Sequence, residues 1–348
     1  MISYKDHLIN QNNSIAEALL QLNKLGKDAI LFVVDSEQRL IGALTDGDVR
    51  RGLLRGVKIE QTLELIIQSN PRFIRKGDNN IQKIIEYRES NFRIIPVLDK
   101  SNRIVNVINF REFHSYLPVD AVIMAGGKGE RLMPLTLTTP KPLLKVGDKP
   151  IIDHNITRLC LFGIDDFWIS VKYLGDQIKE YFGDGSARNI KLNYIHEDEP
   201  LGTIGAVSKV ENFEHEYILI SNSDILTNLD YEHFFLDFLD KDADMSVVTI
   251  PYHVNIPYAV LETNMGCVIN FKEKPTYTYY SNGGIYLLKK TFLRFLPKNT
   301  YFNATDLMDE LIKKKYKVVS YPLIGYWLDI GSPQDYEKAN IDIKSIKF

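Results

Sequence analysis

The sequence predicts an α/β protein in two parts, a small duplicated α+β unit followed by a larger unit around a mixed, largely parallel sheet. Three observations carry this prediction. One segment repeats itself at a constant offset, strand-like runs alternate with helical segments after residue 119, and a glycine-rich turn follows the first of those runs. The length of 348 residues leaves room for two or three domains.

Composition and charge narrow the class of protein. The chain is 45% apolar and 25% charged, as is ordinary for a globular protein, and its net charge of −3 gives no reason to expect nucleic-acid or membrane-surface binding. It has no run of about 18 apolar residues. No signal pattern stands at its start, and its two cysteines, Cys160 and Cys267, lack disulfide or zinc spacing. These features predict a cytoplasmic protein without nucleic-acid or membrane partners.

The first predicted element is a strand, polar turn and strand that occurs twice. Residues 32–44 align with residues 96–108, and most apolar positions match by class. A helix-like segment precedes each copy and begins after a residue of the N-cap type, Ser14 in the first copy and Asn80 in the second. A duplicated unit of this size is expected to bury its faces by pairing the two copies.

This duplicated unit resembles the CBS-domain pair, a family of small β-α-β modules that often bind adenine nucleotides and regulate an attached enzyme. The resemblance covers residues 1–116, with copies at about 1–60 and 61–116. It implies that the unit is a regulatory or architectural attachment to a second domain.

The nucleotide site that this resemblance implies lies in the first copy. Thr45, Asp48 and Arg50 stand where the family makes its ribose and phosphate contacts. In the second copy Asn109 replaces the threonine and Glu112 replaces the aspartate, so the pattern is broken there. The alternative is a purely structural pair that forms a dimer interface, in keeping with an expected homo-oligomer, or holds an orientation, and the sequence leaves both functions open.

The second unit is predicted to begin directly after Leu117-Pro118 and to span residues 119–348. Strands alternate with helical segments in its first half, which is typical of a largely parallel sheet covered on both faces. After about Asp244 the pattern predicts an antiparallel addition that covers the mouth of the sheet. The predicted strands are Val119–Ala125, Asp166–Val171, Lys191–His196, Tyr217–Ile220, Met245–Tyr252, Gly266–Lys272 and Gly283–Leu288.

A glycine-rich turn follows the first strand of this unit. Glycines let backbone N–H groups approach an anion closely, so a strand followed by such a turn is typical of a phosphate site. The turn is not a Walker A loop, because Glu130-Arg131 follows Gly129, and Leu132 stands where a dinucleotide-binding turn needs its third glycine. Arg131 and Lys141, the latter held between two prolines, instead provide two cations that suit a triphosphate.

The run from Ala125 to Pro150 resembles the signature of the sugar-1-phosphate nucleotidyltransferases, and this resemblance extends over about residues 119–340. It implies a Rossmann-like mixed sheet. Five later motifs follow in that family's order, at Glu197–Thr203, Ser221–Asp224, Phe271–Pro275, Asn282–Tyr286 and Trp327–Gly331. Two positions depart from the pattern, because Ser223 and Ala259 stand where glycine is usual.

The resemblance also implies a role for each matching residue. The catalytic cations are Arg131, Lys141 and Lys274. The nucleotide-binding residues are Ala125, Gly126, Gly127, Gly129, Glu197, Pro200, Gly202 and Thr203. The sugar-binding residues are Ala259, Glu262, Glu273, Asn282 and Gly283. The ligands of a metal ion are Asp224 and Asp329.

The implied reaction is attack of a sugar-1-phosphate oxygen on the α-phosphorus of a nucleoside triphosphate. A phosphate monoester has a second pKa of about 6 and is mostly dianionic at neutral pH, so the reaction needs no general base. Catalysis then consists of positioning and charge neutralisation. Mg²⁺ is the expected cofactor, because it binds phosphates together with one or two carboxylates.

The sequence also favours a particular nucleotide base and a particular sugar phosphate as substrates. Guanine presents two donors that a carboxylate can accept, and the loop at residues 197–203 offers Glu197 and Glu199 but no glutamine, which favours GTP over UTP or dTTP. A CBS pair placed before this transferase resembles the enzymes that make GDP-glucosamine from glucosamine-1-phosphate for legionaminic acid, a surface-glycan precursor. Mannose-1-phosphate is the rival sugar.

Two other classes of protein remain as alternatives. One is a nucleotide sensor without enzymatic activity, in which the transferase domain has decayed. Retention of Arg131, Lys141, Asp224, Lys274 and Asp329 together argues against it. The other is a glycosyltransferase of similar topology, which would need a second carboxylate in the run Asn222-Ser223-Asp224.

Overall fold

The structure, a computed structural model, describes residues 3–78 and 80–346. The chain divides into two compact units. Unit 1 comprises Met1–Pro118 together with Cys160–Ile164, and unit 2 comprises Val119–Leu159 and Asp165–Phe348. In the described part of the chain, no helix has both the length and the apolar character needed to cross a membrane.

Unit 1 contains two small sheets, one built on the long strands of each sequence repeat, and the first sheet also includes the short strand Gln68–Ser69 from the second copy. The first sheet has the order β1-β2-β3-β4 and the second has the order β5-β6-β7. The strands are β1 Leu8–Asn10, β2 Ile30–Val34, β3 Leu40–Thr45, β4 Gln68–Ser69, β5 Ile74–Arg75, β6 Ile94–Leu98 and β7 Ile104–Asn109. The helices are α1 Ile15–Leu25, α2 Asp46–Leu54 and α3 Ile81–Glu89.

The turn between the two long strands is the same in both repeats. Asp35 accepts hydrogen bonds from the backbone N and the Nε of Arg39, at 2.9 and 2.7 Å. Asp99 accepts the same pair from Arg103, both at 2.9 Å. The two turns also pair with each other through an antiparallel bridge between the arginines. The repeated Asp and Arg therefore fix the turn, and the turns hold the copies together.

The predicted helix caps of unit 1 are present. The side chain of Ser14 caps α1 in a reciprocal capping box with Glu17, and Asn80 caps α3 by accepting from the N–H of Lys83. The repeats differ after their last strand, because α2 follows β3 whereas turns follow β7. Asn109, which stands at the position of Thr45, accepts the N–H of Arg111 at 3.1 Å within these turns.

Unit 2 is built on a seven-stranded sheet with the order β12-β11-β8-β13-β18-β15-β19. Strands β12, β11, β8 and β13 are parallel, whereas β18 is antiparallel to both its neighbours. The strands of the sheet are β8 Val119–Met124, β11 Asp166–Val171, β12 Lys191–His196, β13 Tyr217–Asn222, β15 Met245–Asn255, β18 Thr276–Lys289 and β19 Val318–Pro322. This mixed α/β architecture confirms the predicted fold class.

Smaller elements complete unit 2. Three two-stranded pairs are formed by β9 Lys145–Val146 with β10 Lys149–Pro150, β14 Ile225–Thr227 with β20 Trp327–Asp329, and β16 Val260–Asn264 with β17 Cys267–Lys272. The helices are α4 Ile151–Leu161, α5 Gly175–Phe182, α6 Tyr231–Asp240, α7 Ala304–Lys313 and α8 Pro333–Asp342.

The core of unit 2 lies on both faces of the parallel strands. Residues 119–123 of β8 are all buried, including Asp120. On β11 the buried Phe167, Ile169 and Val171 share one face, and Asp166 and Ser170 are buried on the other. A central parallel strand is covered on both sides, so it carries continuous apolar residues rather than an alternating pattern. This packing fixes the carboxyl ends of β8, β11 and β13 side by side.

The antiparallel addition differs from the expectation. Strands β15 and β18 are paired from Met245 to Asn255, but beyond residue 250 they leave the sheet as a two-stranded ribbon. We call residues 251–282, which include the β16–β17 hairpin, the arm. Every side chain of the arm is exposed or half-exposed, so the arm does not cover the mouth of its own sheet as predicted.

Candidate active site

A cleft of about 970 Å³ lies where β8, β11 and β13 end. Open α/β sheets place their ligands at this edge, because the loops after parallel strands meet there. The cleft is lined by Met124, Gly126, Gly127, Lys128, Gly129, Glu130, Arg131, Lys141, Pro142, Lys172, Tyr173, Leu174, Glu197, Pro200, Gly202, Thr203, Asn222, Ser223, Asp224 and Tyr301. The structure therefore brings together most of the predicted nucleotide-binding residues.

The glycine-rich loop after β8 approaches its neighbours too closely for a side chain. A Cβ at Gly129 would lie 2.9 Å from the Cβ of Lys141, and Gly129 itself has a left-handed φ of +64°. A Cβ at Gly126 would lie 2.7 Å from the Oε1 of Glu197. Ala125, which precedes the loop, is buried and donates its N–H to the carbonyl of Ser170 at 3.0 Å. Gly127 differs from these two glycines, because no neighbouring atom lies within 4 Å of the point where its Cβ would stand. The loop therefore leaves open space beside Gly127.

Two cations of the site are held in different ways. The Nζ of Lys141 donates to Asp224 Oδ2, and the lysine side chain is only 12% exposed. Arg131 is exposed, and its guanidinium lies beside Gly331, where a Cβ would stand 3.2 Å from Nη2. Arg131 is thus an exposed cation among the residues that line the cleft.

Asp224 and Asp329 are neighbours although 105 positions separate them (329 − 224). They are brought together by the pairing of β14 with β20, in which Ile225 stands opposite Asp329. The backbone N–H of Ile330 also donates to the carbonyl of Asp224 at 3.0 Å. The Oδ1 atoms of both aspartates are buried and accept no hydrogen bond from the part of the chain that the structure describes.

Burial and the neighbouring Asp224 carboxylate raise the pKa of Asp329, and Lys141 and Arg131 oppose that rise only in part. Two close carboxylates with unsatisfied buried oxygens form a site where a cation is favourable. Mg²⁺ suits this donor set, since it takes carboxylate oxygens and keeps other positions for water and phosphate. The residues present therefore fit the expected ion.

A second acidic group lies elsewhere in unit 2. Ligand atoms of Asp165, Asp166 and His215 all lie within 4.8 Å of one another. Asp166 begins β11 and His215 precedes β13, so this group stands at the amino ends of the parallel strands, opposite the cleft. It was not predicted from the sequence and is separate from the carboxylates that face the nucleotide loop.

The loop at residues 197–203 is tied down by its own side chains. Glu197 accepts from Ser170 Oγ through Oε1 and from the N–H of Leu201 through Oε2, the latter at 3.0 Å. The hydroxyl of Thr203 accepts the N–H of Ala304 at 2.9 Å. Gly202 has a φ of +77°, and a Cβ there would lie 2.6 Å from the carbonyl of Phe302. Glu197 and Thr203 line the cleft while also holding the loop in place.

The predicted sugar-binding residues are divided between two places. Asn282 and Gly283 lie at the base of the arm, where Asn282 Nδ2 donates to the hydroxyl of Tyr286 at 2.8 Å. The adjacent Gly284 lies against Asn222, a residue of the cleft, because a Cβ there would approach Asn222 Nδ2 to 2.7 Å. Ala259, Glu262, Glu273 and the catalytic candidate Lys274 stand on the arm itself and are exposed.

The cleft residues that the sequence analysis missed include Lys172, Tyr173 and Tyr301. Lys172 and Tyr173 directly follow β11, and their position after a parallel strand was the signal that could have identified them. Lys172 Nζ donates to the carbonyl of Asp198 at 2.8 Å, and so reaches across to the loop that begins at Glu197. Tyr301 comes from a distant loop before α7, and no sequence pattern points to it.

The predicted nucleotide site of unit 1 lies at the start of α2. Asp48 is buried and accepts hydrogen bonds from Thr45, Arg51 and Gln68. Burial pushes the pKa of Asp48 upward, but these hydrogen bonds outweigh it and hold the pKa below its ordinary value. Arg50 is exposed and borders a groove of about 560 Å³, which is lined by Leu19, Asp46, Gly47, Val49, Arg50, Leu53 and Leu54.

Two family models match this chain. The Nucleotidyl transferase model matches residues 120–346, which is most of unit 2. The CBS domain model matches residues 6–55, which is the first repeat of unit 1. Both resemblances stated from the sequence are thereby confirmed, the second for the first repeat.

Curated relatives and a solved structure agree with these matches. The D-glycero-alpha-D-manno-heptose 1-phosphate guanylyltransferase of Aneurinibacillus thermoaerophilus is 32% identical over 232 residues, 65% of this chain and 99% of that protein. The mannose-1-phosphate guanylyltransferase of Mycobacterium tuberculosis is 28% identical over 239 residues, 65% of this chain and 64% of that protein. This chain thus spans under two thirds of the mycobacterial protein.

A crystal structure from Bacillus anthracis, of a protein assigned as a glucose-1-phosphate thymidylyltransferase in complex with sucrose, shares the fold. It has a TM-score of 0.53 and 24% identity, and it covers 66% of this chain and 97% of its own. At this level of identity the likeness concerns the fold alone.

Proposed function

The chain belongs to the nucleotidyl transferase family, and we propose that unit 2 transfers a guanylyl group from GTP to a hexose-1-phosphate, giving a GDP-sugar and pyrophosphate. The observation that carries this proposal is the convergence of the glycine loop, Arg131, Lys141 and the Asp224–Asp329 pair at one edge of the sheet.

In the proposed reaction an oxygen of the sugar phosphate forms a bond to the α-phosphorus of GTP. The bond from that phosphorus to the bridging oxygen of the β-phosphate breaks, and pyrophosphate leaves with the electron pair. The attacking dianion needs no base. The work of the protein is therefore to hold both anions in line and to offset their charge.

The cations supply that offset. Gly126 to Gly129 present backbone N–H groups to the triphosphate, and Arg131 holds the departing pyrophosphate. Lys141, released from Asp224 when the nucleotide enters, neutralises triphosphate oxygens. Lys274 holds the incoming sugar phosphate. Asp224 and Asp329 would hold Mg²⁺, which when bound neutralises phosphate charge and orients the triphosphate.

Support for guanine comes from two sources. The relatives at 28% and 32% identity are named as guanylyltransferases. Each carboxylate oxygen of Glu197 accepts one bond from the protein and keeps a second lone pair, so Glu197 can still accept from a base that presents donors. A loop held rigid in this way offers its acceptors without a cost in ordering.

The most specific part of the proposal is the identity of the sugar phosphate. We place glucosamine-1-phosphate first, because of the order of the two domains, with Glu262 or Glu273 as the acceptor for its amino group. Mannose-1-phosphate is the rival, and one relative is named for that substrate. UTP or dTTP with another sugar phosphate would keep the same mechanism and change only the base contacts.

The test is release of pyrophosphate with Mg²⁺, in which GTP, UTP, dTTP, CTP and ATP are crossed with glucosamine-, mannose-, glucose- and N-acetylglucosamine-1-phosphate. A strong GTP pair supports the proposal and identifies the sugar. Asp224→Asn should lower kcat by about 100-fold or more, whereas Asp309→Asn, a carboxylate exposed on α7, should not. If no pair of nucleotide and sugar phosphate released pyrophosphate, the result would favour the nucleotide sensor without enzymatic activity.

For unit 1 we propose binding of an adenine nucleotide beside Arg50, at the start of α2. The match to the CBS domain model over residues 6–55 supports this proposal. The four hydrogen bonds at Asp48 indicate that this carboxylate shapes the helix start, and one of them comes from the hydroxyl of Thr45. Arg50, which borders the groove, and the half-exposed Thr45 would contact the nucleotide.

A further inference from the structure

The arm is an amphipathic ribbon with an uncovered aromatic face. Tyr252 stands opposite Tyr279 and Val254 opposite Tyr277, so these four side chains share one face. Tyr252 is 64% exposed and Tyr279 is 60% exposed. On the other face His253 forms a hydrogen bond with Thr278 at 3.0 Å. One face of the ribbon therefore carries three tyrosines and a valine, whereas the other combines polar side chains with Tyr280, which stands opposite Pro251.

The end of the arm repeats this division. In the β16–β17 hairpin Leu261 stands opposite Phe271, and these side chains are 56% and 62% exposed. Met265 at its turn is fully exposed. On the opposite face Glu262 forms an ion pair with Lys272 at 3.5 Å. The hairpin at the end of the arm thus also exposes apolar side chains, up to and including its turn.

An uncovered surface of this kind needs a partner. A two-stranded ribbon alone is at best marginally stable in water, because one face must be packed for strand pairing to persist. A contiguous patch of exposed apolar side chains usually marks an interaction surface on a soluble protein. The ten paired positions between β15 and β18 hold the arm as a continuation of the sheet.

The cleft lacks the residues that the arm carries. Among the described residues that line it, none comes from the arm. Glu273 and Lys274, which are needed at the sugar phosphate in the proposed function, lie exposed on the arm, and Lys274 has a left-handed φ of 42°. A backbone in that region costs free energy and is retained where a side chain must be aimed.

We propose that two copies of this chain exchange arms, so that Glu273 and Lys274 of each copy complete the sugar-phosphate end of the cleft of the other. This inference rests on the proposed function for the role of those residues. A second copy is the partner that the arm fits, because it offers a cleft that lacks these residues and presents its own arm in return. Reciprocal exchange closes a two-fold dimer and covers both aromatic faces.

The decisive experiment mixes two inactive variants, Arg131→Ala in the cleft and Lys274→Ala on the arm, under conditions that exchange subunits. In a mixed dimer the intact cleft of one chain receives the intact arm of the other. Random pairing of equal amounts gives half mixed dimers with one complete site each, so about a quarter of the wild-type activity should return. If each arm serves its own cleft, no mixed pair has a complete site. No recovery from dimers shown to have exchanged subunits would overturn the proposal.

Two measurements test the exchange without any catalysis. Light scattering should give the mass of a dimer, and Tyr252→Ser with Tyr279→Ser should give a monomer, whereas His253→Ala with Thr278→Ala on the opposite face should leave the dimer intact. In a Cys267→Ser background, a bifunctional maleimide should link Lys274→Cys on one chain to Lys128→Cys on another. A monomeric wild type, or linkage within one chain alone, would refute exchange. An inactive wild type with intermolecular linkage would instead refute the proposed function.

Discussion

At the scale of single residues, the site depends on close backbone approaches that only glycine permits. Gly129 has a φ of +64°, and a Cβ there would stand 2.9 Å from the Cβ of Lys141. Gly129→Ala should therefore push Lys141 from its place and lower kcat/KM by roughly 100-fold, on the scale of losing one charge-stabilising donor. The rate of pyrophosphate release measures this effect.

A matched control separates the effect of space from that of backbone strain. Gly183 ends α5 with a φ of +58°, and no atom lies within 4 Å of the point where a Cβ would stand. Gly183→Ala should cost roughly 1 kcal/mol of stability, as left-handed alanine does, and leave activity near the wild-type level. Equal loss of activity in both variants would show that strain alone, rather than displacement of Lys141, explains the first result.

Arg131 offers a second prediction at this scale. Its guanidinium is exposed and lies against Gly331, so its planar fork is free to bind phosphate oxygens in bidentate fashion. Arg131→Lys keeps the charge but loses that fork, so we expect kcat to fall by at least about tenfold, and further for Arg131→Ala. Steady-state kinetics with pyrophosphate detection decides this. Full activity of Arg131→Lys would show that Arg131 contributes its positive charge and not bidentate hydrogen bonds.

At the scale of elements, the central strand β8 carries a buried carboxylate that the proposed chemistry does not use. Asp120 accepts the N–H of His215 at 2.7 Å, and burial raises its pKa to about 6 in spite of that hydrogen bond. Asp166 stands opposite on β11 and adds to the rise. The native state thus favours protonated Asp120 more than the unfolded chain does.

The sign of the pH effect follows from that difference. Between about pH 4 and pH 6 the native state binds the extra proton, so stability should fall as pH rises through this window. Above it the ionised group costs roughly 3 kcal/mol at most. Asp120→Asn removes the charge and keeps an acceptor for His215, so its melting temperature should exceed that of the wild type at pH 8, with the gap narrowing towards pH 4. Asp309→Asn, on an exposed surface, should show no such change. A constant gap at all pH values would contradict this account.

The same scale shows what the sequence can predict. The parallel strands Asp166–Val171 and Lys191–His196 have the predicted bounds, because apolar and β-branched or aromatic residues mark each strand between turn signals. The capped helices after Ser14 and Asn80 also agree, since capping is a local interaction. The glycine loop was identifiable because its motif is contiguous.

What the sequence could not show depends on non-local contacts. The arm was expected to cover the sheet, since its strand pattern was visible but the point at which β15 and β18 leave the core was not. Tyr301 reaches the cleft only through tertiary packing. The hydrogen bonds that occupy Glu197 come from Ser170 and Leu201, of which the first is 27 positions away along the chain. Register and side-chain partners of this kind are set by the folded sheet.

At the scale of the whole molecule, the chain joins two units with different predicted ligands. If unit 1 binds an adenine nucleotide, AMP should raise the melting temperature of its transition, because a ligand that binds only the folded state stabilises it by about 2.7 kcal/mol at 100 times its Kd. Multidomain chains often unfold in more than one step, so calorimetry should be used to separate the two transitions. GTP with Mg²⁺ should shift the other one.

Arg50 decides whether the AMP effect comes from the start of α2. Arg50→Ala should remove the shift caused by AMP and keep the shift caused by GTP, whereas Arg55→Ala, an exposed arginine just after α2 that lies outside the groove, should keep both. Loss of both shifts in Arg50→Ala would indicate a general loss of structure. If AMP shifts neither transition of the wild type, the pair of repeats is architectural, as their bridge between Arg39 and Arg103 already allows.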